Sequence, residues 1–117
     1  MKSMSMQPPF DQVAFSVADG YTIVALSDIV CCEAKGGYTC LHLQGGEQLL
    51  LSKGLKSLEE HLPGDYFIRV HHHTIAGKLH IKKVLKNSGL ELLMSNGERL
   101  PVAARRRAAL LGSLTVF

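Results

Sequence analysis

Four glycine turn signals divide this chain, and they constrain its fold more than any other feature. Asp19-Gly20 separates VAFSV from YTIVAL, and Lys35-Gly36-Gly37 separates DIVCCEA from YTCLHLQ. Gly45-Gly46 leads into EQLLLS, and Asn96-Gly97 separates LELLMS from ERLPVA. Short apolar runs bounded by such turns are the signature of antiparallel strands. Asn-Gly is the strongest of the four, because the favoured two-residue hairpin turns need positive φ at their centre. YFIRVHHH and KLHIKKVL also read as strands, with a break at Ala76-Gly77. Up to Ser52 the pattern predicts an antiparallel meander with short loops.

One helix interrupts the strands. Leu51, Leu55, Leu58 and Leu62 recur at i, i+4, i+7 and i+11, which puts all four on one face of a 3.6-residue repeat. Ser52 is placed as its N-cap, Gly54 weakens it internally and Pro63-Gly64 stops it. The opposite face carries Lys53, Lys56, Glu59 and Glu60, mixed in sign and suited to solvent, so this helix is expected to brace the core. AARRRAALLGSL predicts a short C-terminal helix with a basic first half.

A chain of 117 residues falls within the range of one domain and can bury a core without disulfides or a structural metal. Residues 1–11, with Pro8-Pro9, read as a linker or disordered segment, leaving 12–117 as the domain. There is no apolar run of membrane-spanning length and no signal-peptide core at the N-terminus, so no membrane association and a cytoplasmic location are expected. Cys31, Cys32 and Cys40 are an odd number without a secretion signal, which favours reduced core thiols over a disulfide frame.

The net charge of +3 conceals a segregation. Residues 1–65 hold four Lys against eight acids, whereas residues 66–117 hold nine Lys and Arg against Glu91 and Glu98. Such asymmetry is the footprint of a protein that meets polyphosphate with one side, although basic residues also decorate solvated strands. No Ser-His-Asp set, Walker loop or paired carboxylate site is visible, so an enzyme is not expected.

Three stretches in order resemble the LytTR family of DNA-binding domains. DIVCCEAKGGYTCLHLQGGEQLLLSKGLKSLEEHL is similar to the family's strand–loop–strand leading into a helix. FIRVHHHTIAGKLHIKKV is similar to its Phe, Arg, Val and His signature. MSNGERLPVAARRRAAL resembles its Asn-Gly, Leu-Pro-Val and basic helix. The resemblance covers about residues 12–114. It implies a mainly β fold: an elongated stack of small antiparallel sheets with one central helix and a short C-terminal helix. It further implies loops placed in successive major grooves, with contacts at Lys35, Gly36, Gly37 and Tyr38, at His72 and its neighbours, and at Arg105. His73 and Thr74, Ala76-Gly77 and Ala103 depart from the family pattern, and Gly77 and Ala103 each lose a hydrogen-bonding side chain.

The residues themselves refine the candidates. On a continued strand His71 and His73 would face one way and His72 the other, giving at most a two-ligand pair, so neither a metal nor another cofactor is expected. The preferred assignment is His71 inward and His72, with His73 beside it, toward DNA; the alternative for His72 is a merely exposed polar residue. Arg105, Arg106 and Arg107 lie about 100° apart on a helix, so one or two can touch DNA. Arg105 is the choice for a base contact, because its fork matches guanine O6 and N7. Arg69 either clamps a phosphate or braces its loop through a carboxylate such as Glu33. Lys78, Lys82, Lys83 and Lys86 are candidate phosphate contacts, and Lys35 with Gly36-Gly37 forms a tight basic loop or an ordinary turn.

The expected function is that of a sequence-specific DNA-binding domain of a bacterial transcriptional regulator. It is either a response-regulator output module or a standalone LytTR protein. The expected partners are double-stranded DNA, a second copy on paired direct-repeat sites, and a receiver domain or histidine kinase where the chain is excised from a longer one. The competing expectation is a protein-interaction or signal-sensing β-domain using an apolar patch around Leu110, Leu111, Leu114 and Phe117.

Overall fold

The computed structural model describes residues 11–117. Residues 1–10 of the expected linker therefore lie outside the described residues. Asp11 is already tied to the fold: its carboxylate accepts a 2.9 Å hydrogen bond from the Tyr66 hydroxyl and its carbonyl accepts one from the Leu26 amide.

Three antiparallel sheets stack on one another. A hairpin of β1 (Gln12–Val17) and β2 (Gly20–Ala25) forms the first. The second, central sheet has five strands: β3 (Ile29–Lys35), β4 (Tyr38–Leu43), β5 (Gln48–Leu51), β6 (Phe67–His71) and β7 (Thr74–Gly77), in the order β5-β4-β3-β7-β6. The third is β8 (Ile81–Lys86), β9 (Leu90–Met94) and β10 (Arg99–Val102), in the order β10-β9-β8. Helix α1 (Leu55–His61) connects β5 to β6, and α2 (Arg107–Gly112) follows a 3₁₀ turn at Ala104–Arg106. This is the mainly β fold expected, with the central and C-terminal helices in place.

The central sheet buries both faces. One packs Cys32, Leu41, Leu51 and Ile75 against α1 and the first hairpin, through Leu55, Leu58, Phe15 and Val24. The other packs Val30, Cys31, Val70 and Ala76 against Leu92, Met94, Leu100 and Leu110 of the third sheet and α2. A bulge between Ile29 and Cys31 is what sends the neighbours Val30 and Cys31 into the same cluster, against strict strand alternation. All three thiols are free and buried, and desolvation pushes Cys32 up to about 12, which keeps it protonated and inert at neutral pH.

Two expectations need correction. The helix begins at Leu55 with Gly54 at its N-cap, not at Ser52, and no side chain caps it. Leu51 lies in β5 yet still joins Leu55, Leu58 and Leu62 in one cluster. The supposed break at Ala76-Gly77 is strand β7, inserted between β3 and β6. Its four residues are all buried, so they lack the in–out alternation by which strands are read.

His80 locks the stack together. One ring nitrogen pairs with the Ser95 hydroxyl and the other with the Ser27 carbonyl, both at 2.7 Å, so it joins the turn after β9 to the segment after β2. Replacing His80 with Ala removes both bonds and opens a buried gap. The expected cost is about 2–3 kcal/mol, read as a lower urea midpoint at unchanged slope.

Candidate nucleic-acid interface

Three chain segments meet at one end of the central sheet. The first is the β3–β4 hairpin tip, where Lys35 pairs with Tyr38 across Gly36-Gly37. Gly36 takes a φ of 63°, a conformation that a residue with a Cβ adopts only at a cost, so the turn is tight and its backbone exposed. The second is the β6–β7 turn at His72-His73, held beside the first by a 2.9 Å bond from the Ala34 amide to the His73 carbonyl. The third is the 3₁₀ turn before α2, anchored where the Ala103 amide donates to the Val70 carbonyl at 2.8 Å.

The histidine geometry departs from the strand alternation expected. β6 carries a bulge between Arg69 and His71 and ends at His71, where the chain turns. The three rings consequently cluster: His71 stacks on His72 and His73 with centroids 4.7 and 5.6 Å away, and the His72 and His73 rings are tilted by 43° with centroids 3.8 Å apart. His72 and His73 are exposed, whereas His71 is half-buried and its Nδ1 accepts the His73 amide at 3.3 Å. Partial loss of water around the stacked ring lowers the His72 pKa, and the positive charges of His73, His71, Arg69 and Arg105 lower it further. Arg105, exposed on the third segment, thus shares its field with His72.

Arg69 is committed to the protein's own chain. Its Nε donates to the His71 carbonyl at 2.9 Å and one terminal nitrogen donates to the His72 carbonyl at 2.7 Å. The other terminal nitrogen binds the Glu59 carboxylate of α1. The loop-bracing alternative therefore describes the observed contacts, with Glu59 in place of Glu33, whose carboxylate instead meets His42 at 2.7 Å.

Other candidates are dispersed. Arg106 turns inward, with Arg69 and Glu59, along a cleft of about 320 Å³ between α1 and α2, and its Nε has no partner among the described residues. Lys78 lies beyond Gly77, at the opposite end of β7 from the histidine turn and roughly 10 Å along the strand. Its amide is fixed there by the Tyr66 carbonyl. Lys82 is exposed on β8 of the third sheet, next to that strand's bulge. Two further basic candidates, Arg107 and Lys86, meet at the β8–β9 turn beside α2. Arg107 opens α2 and reaches the β8–β9 turn, so that a Cβ at Gly89 would lie 3.6 Å from its guanidinium. Lys86 closes β8 at the same turn.

The interface at this end is exposed backbone, clustered rings and cations without an acidic partner among the described residues, which suits an extended polyanion better than a small molecule. Among the described residues no helix is long and apolar enough to cross a membrane. A search of curated proteins finds no match. A solved chain described as the LytTr DNA-binding domain of a methyl-accepting/DNA response regulator from Bacillus cereus superposes with a TM-score of 0.76 at 30% identity. The match covers 90% of this chain and 97% of that one. The family model for the LytTr DNA-binding domain matches residues 19–115. With the same fold over nearly its whole described length, this chain belongs to the LytTr DNA-binding domain family.

Proposed function

We propose that this domain reads DNA sequence for a bacterial transcription regulator of the response-regulator kind, through the three segments that meet at one end of its central sheet. The observation that carries the proposal is their convergence: Gly36-Gly37 and Tyr38, His72-His73, and Arg105 lie side by side on one exposed edge. Loops of this reach enter successive major grooves, and paired direct-repeat sites let a second copy add to the affinity of a small interface. Lys35, Lys86 and Arg107 supply phosphate contacts with counterion release, Arg105 reads a base, and Lys78 and Lys82 contribute a steering field from the flank. Arg69 serves as a positioning residue for the histidine turn.

Selection of bound sequences from a random duplex pool tests this, followed by titration of the winner against a scrambled duplex at two salt concentrations. The expected result is a short repeated motif with a specificity ratio above roughly a hundredfold. His72→Ala and Arg105→Ala are expected to flatten the preference, at about 1–3 kcal/mol per lost base contact. Lys86→Ala should weaken all sequences alike and reduce the salt slope by about 0.9. Weak, sequence-indifferent binding that vanishes at moderate salt would instead favour the protein-interaction reading.

A pH dependence follows from His72. Its pKa is lowered in the free domain, and a phosphate beside it raises the pKa again, so binding takes up a proton. Affinity is therefore expected to rise as pH falls from 8 through the bound-state pKa and to level off below the free-state value. His72→Ala should flatten that profile, and an unchanged profile would place the His72 ring away from the phosphates.

A further inference from the structure

On the far side of β3 from the histidine turn, Cys31, Glu33 and His42 bring three different donor atoms together. The Cys31 Sγ, a Glu33 carboxylate oxygen and a His42 ring nitrogen all lie within 4.8 Å of one another. Strand register explains the grouping. Cys31 is the direct cross-strand partner of His42, and Glu33 follows Cys31 by two residues on the same face. We propose that these three side chains form a binding site for a single zinc-like divalent cation, independent of the DNA-reading edge.

The donor chemistry selects the ion. One thiolate, one imidazole and one carboxylate make a borderline-soft set suited to Zn²⁺ and ill-matched to Mg²⁺ or Ca²⁺, which want oxygen alone. In a tetrahedral zinc site, donors stand about 3.3–3.8 Å apart, so a 4.8 Å cluster closes with a movement of roughly 1 Å. The half-exposed Glu33 chain can supply that movement, because Cys31 and His42 are the more enclosed members.

The site also has an approach. A cleft of about 190 Å³ runs from the β4–β5 turn to the β9–β10 turn and ends on His42, with Asn96 and Glu98 on its opposite wall. An ion entering there keeps a fourth position for water or the Glu98 carboxylate. Burial and the negative charge of Glu33 and Glu98 push the Cys31 thiol upward. The same carboxylate field attracts a cation, which on binding displaces the thiol proton to solvent and forms the metal–sulfur bond. Without an ion, the Glu33–His42 hydrogen bond at 2.7 Å spans the site.

Titration of the untagged full chain with Zn²⁺, and with Co²⁺ as a coloured probe, tests the proposal. The expected result is one equivalent of Co²⁺ with a thiolate-to-metal absorption band, displaced by Zn²⁺, and a melting temperature raised by Zn²⁺. Cys31→Ser should abolish the band. Because Cys31 is buried and that variant can lose its fold, His42→Ala and Glu33→Gln are measured beside it. Each is expected to weaken binding at least tenfold in a folded protein. Cobalt uptake without a thiolate band overturns the site, as does no uptake at all. Binding retained in His42→Ala but lost in His72→Ala with His73→Ala also overturns it, by moving the ion to the histidine turn.

Discussion

Gly77→Ala is expected to lower the melting temperature by roughly 10 °C, which corresponds to about 3 kcal/mol in a domain of this size. The cause is contact, not conformation, since Gly77 has an ordinary φ of −80°. A Cβ built there would lie 2.3 Å from the Ile29 carbonyl oxygen and 2.9 Å from that of Val30. Both oxygens belong to the backbone of the β3 bulge and cannot rotate aside as a side chain would. The substitution must therefore push β7 from β3 or flatten the bulge that directs Val30 and Cys31 into the same core cluster. Gly89→Ala is the control, because its Cβ meets only the Arg107 guanidinium at 3.6 Å, and a change within about 0.5 kcal/mol is expected. Thermal melts of the two variants decide the matter. Equal melting temperatures would mean that the bulge yields freely.

That glycine also shows where the sequence was legible and where it was not. Turns announced by Asp-Gly, Gly-Gly and Asn-Gly carry their own cause, and all four fall between paired strands. The leucine spacing found α1 because a helix face repeats locally. Strand β7 has no such local signature: TIAG is buried on every side, and its small residues answer to β3, more than 40 positions earlier. At Gly77, the lost amide of the family pattern reads in sequence as a weakening. In the fold, the same absence is what lets two backbones meet.

The candidate interface was legible in its loops and less so in its partners. Lys35, Gly37, Tyr38, His72 and Arg105 lie at one end because hairpin tips and turns are where polar and glycine residues concentrate. Charge alone does not reveal which end of a strand a lysine occupies, so Lys78 was grouped with residues from which β7 separates it. Histidine alternation fails because β6 ends at His71, just past the Arg69–His71 bulge, and His72-His73 form the turn. The partner of Arg69 was beyond local reading as well. Glu59 belongs to the solvent face of α1, ten residues earlier, and only the packing of that helix on β3 and β7 brings it near.

Arg69→Ala is expected to reduce affinity for the selected DNA site about a hundredfold while leaving non-specific affinity nearly unchanged. Arg69 spends its guanidinium on the His71 and His72 carbonyls and on Glu59, so its removal frees the turn that carries His72. Charge-assisted hydrogen bonds of this kind contribute about 1.5–3 kcal/mol each. A turn released from two of them must be reordered on binding, and that cost falls on the specific complex alone. Arg69→Lys should rescue little, because an ammonium cannot reach two carbonyls and a carboxylate in one planar fork. The salt dependence separates positioning from direct contact. If Arg69 gripped a phosphate, its loss would reduce the slope of log affinity against log salt by about 0.9 and weaken every duplex alike. If it only positions the turn, the slope is unchanged and discrimination collapses. Glu59→Gln completes the test: it removes a competing negative charge, so it would strengthen binding to any DNA under the contact reading. Under the positioning reading it weakens the specific site alone, because the brace loses one of its three supports.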